Sequence, residues 1–260
     1  MMKKAFLIAL LFIGLLGCER DPDIHEQWEK VIAVEAMLTV GQEVHDIRLK
    51  HLENGDFSAE AIPISDAHVL LSTPDSTYAL NYNSQTESYQ KEGLLVEAST
   101  TYHLKIEYRD QILESTTTTP PELQLQTSSE PFYDIDPDAP DTTVMKVWWN
   151  SIPSSHYILH LRSLEEDPEP IFFQEDYPGF NELHFEPTTD NSFAMKVSEL
   201  EYYGWHQLDV VAVNEKYTAI YDYNTQGDQN ILEQGPSNIE NGYGFFTGVS
   251  CSHLKFYVMQ

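Results

Sequence analysis

The Cys18 thiol is the group whose neighbours point to one defined covalent chemistry. Lys3 and Lys4 precede an apolar run from Ala5 to Leu16, which closes as Leu15-Leu16-Gly17-Cys18. A short basic head followed by an apolar stretch too short to span a bilayer comfortably is a secretory signal peptide. Leu15 at −3 and Gly17 at −1 make the cleavage site a lipobox, cut before a Cys whose sulfur already carries a diacylglyceryl group. Residues 1–17 are therefore expected to be a lipoprotein signal peptide, with Cys18 the lipidated first residue of the mature chain. Two or three acyl chains at ~0.8 kcal/mol per buried methylene hold such an N-terminus stably to a bacterial membrane.

Ten histidines raise the question of a metal. His156 and His160 stand at i, i+4, and on a helix they would share an ion. Tyr157, Leu159 and Leu161 interleave with them, so the run reads as a strand. At ~3.3 Å per residue the two rings stand ~13 Å apart, far beyond the reach of ~2 Å bonds. His45 and His51 fail by the same arithmetic, which leaves only a composite site from separate strands. Scattered β-sheet histidines, and no metal, are the expectation. Asp134, Asp136 and Asp138 have the odd-position spacing of a calcium loop, but Ala139 and Met145 stand where that loop needs Gly and a bidentate Glu. We read these acids as solvating a Pro-rich linker, with calcium the lesser alternative. Glu165-Glu166-Asp167 with Glu169 reads as a solvated hairpin loop.

Cys251 is left alone once Cys18 is lipidated, so no intramolecular disulfide is expected, and its strand-like surroundings mark a small packed residue rather than a nucleophile. No Gly-x-Ser-x-Gly elbow, His-Glu-x-x-His, phosphate loop or dinucleotide fingerprint occurs. With 42 acids, carboxylate pairs arise by chance and carry no glycosidase signal. We therefore expect no enzyme activity and no cofactor. Aromatic residues are more informative, because Trp148, Trp149, Tyr202, Tyr203, Trp205, Tyr217, Tyr221 and Tyr223 gather in one half. Neighbouring strand residues point to opposite faces, so one of Trp148 and Trp149 must face outward. Trp148, Tyr202 and Trp205 are the candidate binding aromatics, able to stack on a sugar or anchor a protein.

The elements that carry these groups are strands. After cleavage about 243 residues remain, and loss of Lys3 and Lys4 takes the net charge from −28 to −30. Such a surface repels nucleic acid, which is not expected as a partner. Residues 18–30 form an acidic tether. From Val31 the pattern has period two, and runs at Ala67–Thr73, Thr77–Tyr82, Thr101–Arg109 and Ile112–Thr119 complete an antiparallel sandwich over 31–119. Residues 120–142, with five prolines and clustered acids, read as a linker. A second sandwich follows over 143–260, with strands expected at Val144–Ile152, His156–Leu164, Ile171–Gln174, Phe193–Val197, Trp205–Asn214 and Val249–Val258. One short helix is expected within Tyr217–Leu232. The fold class is all-β, two tandem antiparallel sandwiches.

Trp149, Tyr157 and Leu208-x-Val210-x-Ala212-Val213-Asn214 resemble the fibronectin type III pattern, with His206 where that family has Tyr. Ile64-Ser65-Asp66-Ala67-His68-Val69 resembles the transthyretin-like sandwiches. The C-terminal run Pro236-Ser237-Asn238-Ile239-Glu240-Asn241-Gly242-Tyr243-Gly244-Phe245-Phe246-Thr247-Gly248 reads as a turn with positive-φ glycines feeding a last strand. With the lipobox, Val31-Ile32-Ala33-Val34-Glu35-Ala36 and Thr116-Thr117-Thr118-Thr119-Pro120-Pro121 in order, it resembles the domain-of-unknown-function 4249 lipoproteins of Bacteroidota. That resemblance implies an outer-membrane lipoprotein, a non-enzymatic accessory of a TonB-dependent, SusC-type transporter. The alternative is a surface adhesion or structural module that holds glycan or protein. The acids after Cys18 also resemble the phylum's surface-export signal, interrupted by Arg20, and favour the cell-surface side. The resemblance supplies no catalytic residues.

Overall fold

Alternation of apolar and polar residues builds nearly the whole molecule. The computed structural model describes residues 31–51, 62–127, 131–172, 180–218 and 237–260. Cys18, the signal peptide and the tether lie outside them, as does 219–232 of the expected helix. Residues 215–218, which overlap the start of that span, form one helical turn.

In chain order the strands are β1 (Ile32–Thr39), β2 (Glu43–His51), β3 (Ile62–Pro63), β4 (His68–Ser72), β5 (Thr77–Ala79), β6 (Asn81–Asn83), β7 (Ser88–Leu95), β8 (Thr101–Tyr108) and β9 (Gln111–Thr118). They continue as β10 (Leu125–Thr127), β11 (Phe132–Asp134), β12 (Thr143–Trp149), β13 (Ser155–Ser163), β14 (Glu182–His184), β15 (Ser192–Lys196), β16 (Gly204–Asn214) and β17 (Tyr243–Met259). The chain is all-β sandwich, as its alternation requires. One large sheet runs β14-β13-β16-β17-β1-β2-β7-β6, with β11 added to β17 and β3 to β2. Two small sheets, β5-β4-β8-β9 and β10-β12-β15, complete the layers. Pairing is antiparallel except where β1 and β11 run parallel to β17.

The two halves are fused through β17. Its 17 residues, about 55 Å at ~3.3 Å per residue, cross both of them. Tyr243–Val249 pair with β1 and Ser250–Val258 pair with β16. Phe246 enters the first core with Val34, Ile47, Leu104 and Leu113, while Phe256 and Val258 enter the second with Val147, Trp149, Leu159 and Val210. These are all even-numbered positions of β17, so both cores lie on one side of the large sheet. Burial of each such side chain is worth ~1.5–3 kcal/mol.

This changes two expected boundaries. The first sandwich is not finished at residue 119, because it needs Ile239 and Phe246 from the far end of the chain. Nor are residues 120–142 a free linker. Leu123 and Tyr133 are buried in the second core, β10 pairs with β12, and β11 pairs with β17. The prolines of this segment flank the two short strands and limit their length, since none lies within β10 or β11.

The C-terminal run is a clasp across the first sandwich. Asn238 uses its side-chain amide like a strand: Nδ2 donates to the Phe246 carbonyl and Oδ1 accepts from the Phe246 N–H, both at 2.8 Å. Ser115 Oγ on β9 donates to the Asn238 carbonyl at 2.7 Å, and Glu240 exchanges backbone hydrogen bonds with Glu114. The segment thus joins the small sheet to the large one. Of its three glycines only Gly244 has positive φ, at +109°, and a Cβ there would strike the Val34 carbonyl oxygen. Gly248 is needed for close approach instead, since a Cβ would lie 2.7 Å from Thr119 Cα.

Candidate functional site

With both cores on one side, the other face of the large sheet carries a small third cluster of Ile158, Val213 and Val249 near the middle of β17 and is exposed beyond it, toward the C-terminal end of β17. Strand register arranges its side chains in rows. Tyr257 pairs with Phe132 on one side and with Trp205 on the other. The result is an aromatic row, with ring centroids 5.9 Å apart for Phe132–Trp205, 5.4 Å for Trp205–Tyr257 and 6.1 Å for Phe132–Tyr257. Phe132 is 54% exposed and Trp205 40%. Sequence alternation places Trp205 outward; Phe132 was hidden inside the supposed linker.

The expected aromatics do not form one surface. Trp148 is 40% exposed and Trp149 is 3% exposed, as strand alternation demands. However, Trp148 lies on β12 in the small sheet, on the opposite side of the sandwich from Trp205. Tyr202 is buried at 5% exposure and lines a narrow recess with Leu161, Phe180, Glu199 and His206. It therefore offers no open stacking platform. Burial holds two ionisable groups of that recess toward neutrality, pushing His206 down and Glu199 up; the Gly204 carbonyl and the Lys196 N–H respectively oppose those shifts.

Four residues along the strands lies a row of ionisable groups. His160 pairs with His184 on β14 and with Asp209 on β16, and Asp209 pairs with His253 on β17. The His160 and His184 rings stack at 4.3 Å between centroids with 6° between planes. Glu182 Oε2 lies 3.5 Å from His160 Nε2, and Asp209 Oδ2 lies 4.0 Å from His160 Nδ1. Gln207 Nε2 donates to Asp209 Oδ1 at 2.7 Å, and Arg162 Nε is 3.8 Å from Asp209 Oδ2. Burial, then the neighbouring His184, holds the His160 imidazole below its ordinary pKa.

The acids considered for calcium do not converge in this way. Asp136 Oδ1 accepts from the Asp138 N–H at 3.0 Å, closing a local turn, and Asp134 is exposed on β11. Among the described residues the donors that gather are His160, Glu182 and His184. His156 and His160 share a strand, as expected. The sequence reading missed the cross-strand pair because its partner lies 24 residues away from His160, beyond an intervening loop. A signal existed in the alternation of Glu182-Leu183-His184, which mirrors His160-Leu161-Arg162.

Fold and surface together define an all-β protein of two fused sandwiches, with rows of aromatic and ionisable side chains on the outer face of its large sheet. The chain belongs to the family described as Domain of unknown function (DUF4249), which matches residues 19–254. No curated protein matches it. Among solved structures, titin domains A168–A170 are 12% identical with a TM-score of 0.22, and 71% of this chain is covered. The chain spans 60% of that titin fragment. The FN1–FN3 domains of chicken CNTN1 are 12% identical with a TM-score of 0.20, over 88% of this chain and 65% of theirs. E. coli alpha-2-macroglobulin is 11% identical with a TM-score of 0.23, over 88% of this chain and 14% of its own.

Proposed function

We propose that the protein is a non-enzymatic outer-membrane lipoprotein of Bacteroidota, held by lipid on Cys18 and serving as a binding accessory of a TonB-dependent, SusC-type transporter. The observation that carries the binding role is the aromatic row of Phe132, Tyr257 and Trp205 on the open sheet face. Large rigid rings fixed on three adjacent strands lose little conformational entropy on docking, and such residues dominate binding energy where they are buried by a partner. The lipobox supports the location, since it places the sandwiches beside a membrane where a transporter resides.

Co-purification from the native membrane in mild detergent tests the reading. The wild-type chain is expected to retain a TonB-dependent receptor, and a Phe132→Ala, Trp205→Ala double variant to lose it. Repeated failure to recover any transporter overturns the assignment. Retention of glycan on an array, lost in the same variant and without transporter association, would replace it with the adhesion reading. For the anchor, Cys18→Ala is expected to abolish incorporation of labelled palmitate, and persistent labelling would refute the lipobox.

A further inference from the structure

We propose that His160, His184 and Glu182 bind one divalent transition-metal ion of the zinc type, with Asp209 positioning His160. The three donors come from two adjacent antiparallel strands, and register alone puts His160 opposite His184. Directly opposed Cβ atoms in such a pair stand ~4.5–5.5 Å apart, the span that two imidazoles need to reach one ion. One ligand atom from each of the three residues lies within 4.8 Å of the other two. A tetrahedral ion with ~2.1 Å bonds requires donors about 3.4 Å apart, so closure needs roughly 1 Å of approach and a turn of the His184 ring out of its stack on His160, which brings both in-plane lone pairs onto one point. Glu182 and His184 are exposed and free to make it, while His160 is the more buried, fixed member.

Two further observations favour an ion over a merely polar cluster. His160 Nε2 is buried and has no hydrogen-bond partner, although the Glu182 carboxylate is 3.5 Å away. Buried polar atoms are nearly always satisfied, and a cation bound between imidazole and carboxylate would satisfy this one. Behind it, Asp209 Oδ2 stands 4.0 Å from His160 Nδ1, roughly 1 Å beyond hydrogen-bond reach, on a carboxylate that Gln207 holds. A carboxylate that accepts the far N–H of a ligating histidine fixes its tautomer and strengthens it as a donor. Arg162, one row away, lies against the Asp209 carboxylate, which offsets its charge near the cluster. Two imidazoles and one carboxylate suit zinc or a neighbouring borderline ion rather than calcium, and they leave a fourth position open to solvent.

The test uses the full chain, purified untagged in mild detergent and stripped with chelator, then titrated calorimetrically with Zn²⁺ and spectroscopically with Co²⁺. The expected result is one equivalent bound, with the visible absorption of tetrahedral cobalt. His184→Ala and Glu182→Gln alter exposed side chains, so their circular dichroism and Tm should match wild type while binding falls by at least about tenfold. Asp209→Asn should weaken binding ~10–100-fold without changing stoichiometry. His253→Ala, in the same row but on the far side of Asp209, should change nothing. Absence of one-to-one binding, or full binding in folded His184→Ala or Glu182→Gln protein, overturns the proposal. An equal loss in His253→Ala would also overturn it.

Discussion

The sulfur of Cys251 projects from β17 on the open face, one row from the His160 cluster. The residue keeps an exposed flank. Even so, desolvation first and the Asp209 carboxylate second push the thiol up to about 11. At pH 8 only about 0.1% would be thiolate, against roughly a quarter for an ordinary cysteine. Alkylation by iodoacetamide should therefore be slow at pH 8 and gain about tenfold per pH unit until it levels near 11; levelling near 8.5 would contradict the environment described. The glycines separate two effects that the sequence merges. Gly41 has φ +80° with nothing within 4 Å of an added Cβ, while at Gly244 (φ +109°) a Cβ meets the Val34 carbonyl. Gly41→Ala should cost ~1–2 kcal/mol from conformation alone, and Gly244→Ala ~2–5 kcal/mol from conformation and clash together, read by denaturant titration. Single residues were legible in sequence where one strand's alternation decided them, as with Trp148 and Trp149. Residues whose role depends on a partner strand were not, because His160 and His184 acquire their relation only through register.

Strands read well from sequence where alternation was clean. The expected Thr101–Arg109 became β8 and the expected His156–Leu164 became β13 with shifts of a residue. Failures have specific causes. The single strand expected at Thr77–Tyr82 divides at Leu80, which is buried, so that β5 joins β4 and β6 joins β7 in different sheets. β7 was overlooked because Lys91, Glu92 and Gly93 break its apolar rhythm, and its pairing with β2 is correspondingly irregular. Of the strand expected at Ile171–Gln174, the described residues Ile171 and Phe172 lie in a bend that follows an isolated bridge at Pro170. The clasp provides the sharpest element-level test. Asn238→Ala removes both hydrogen bonds to Phe246 and should destabilise the protein by ~1–3 kcal/mol. Asn238→Asp keeps the acceptor and loses the donor, so it should fall between Ala and wild type. Equal stability of all three in denaturant would show that the side chain does not pair with β17.

Fusion through β17 predicts how the molecule unfolds. Two tandem sandwiches joined by a linker would melt separately. Here Phe246 serves one core and Phe256 the other, and both lie at 0% exposure on the same strand. Phe246→Ala and Phe256→Ala should each cost ~3–5 kcal/mol, and each should lower one common calorimetric transition. Two resolved transitions, with only one moving in each variant, would restore the tandem picture. The shared strand also sets an order in time. β17 follows every other strand along the chain, so a ribosome makes both small sheets and most of the large one before the piece that closes either core. Domains made from N-terminus to C-terminus ordinarily fold in turn. This chain must wait: the first apolar face stays open until synthesis passes Val249 and the second until it passes Val258, and a product stopped short of Tyr243 would hold two unfinished halves.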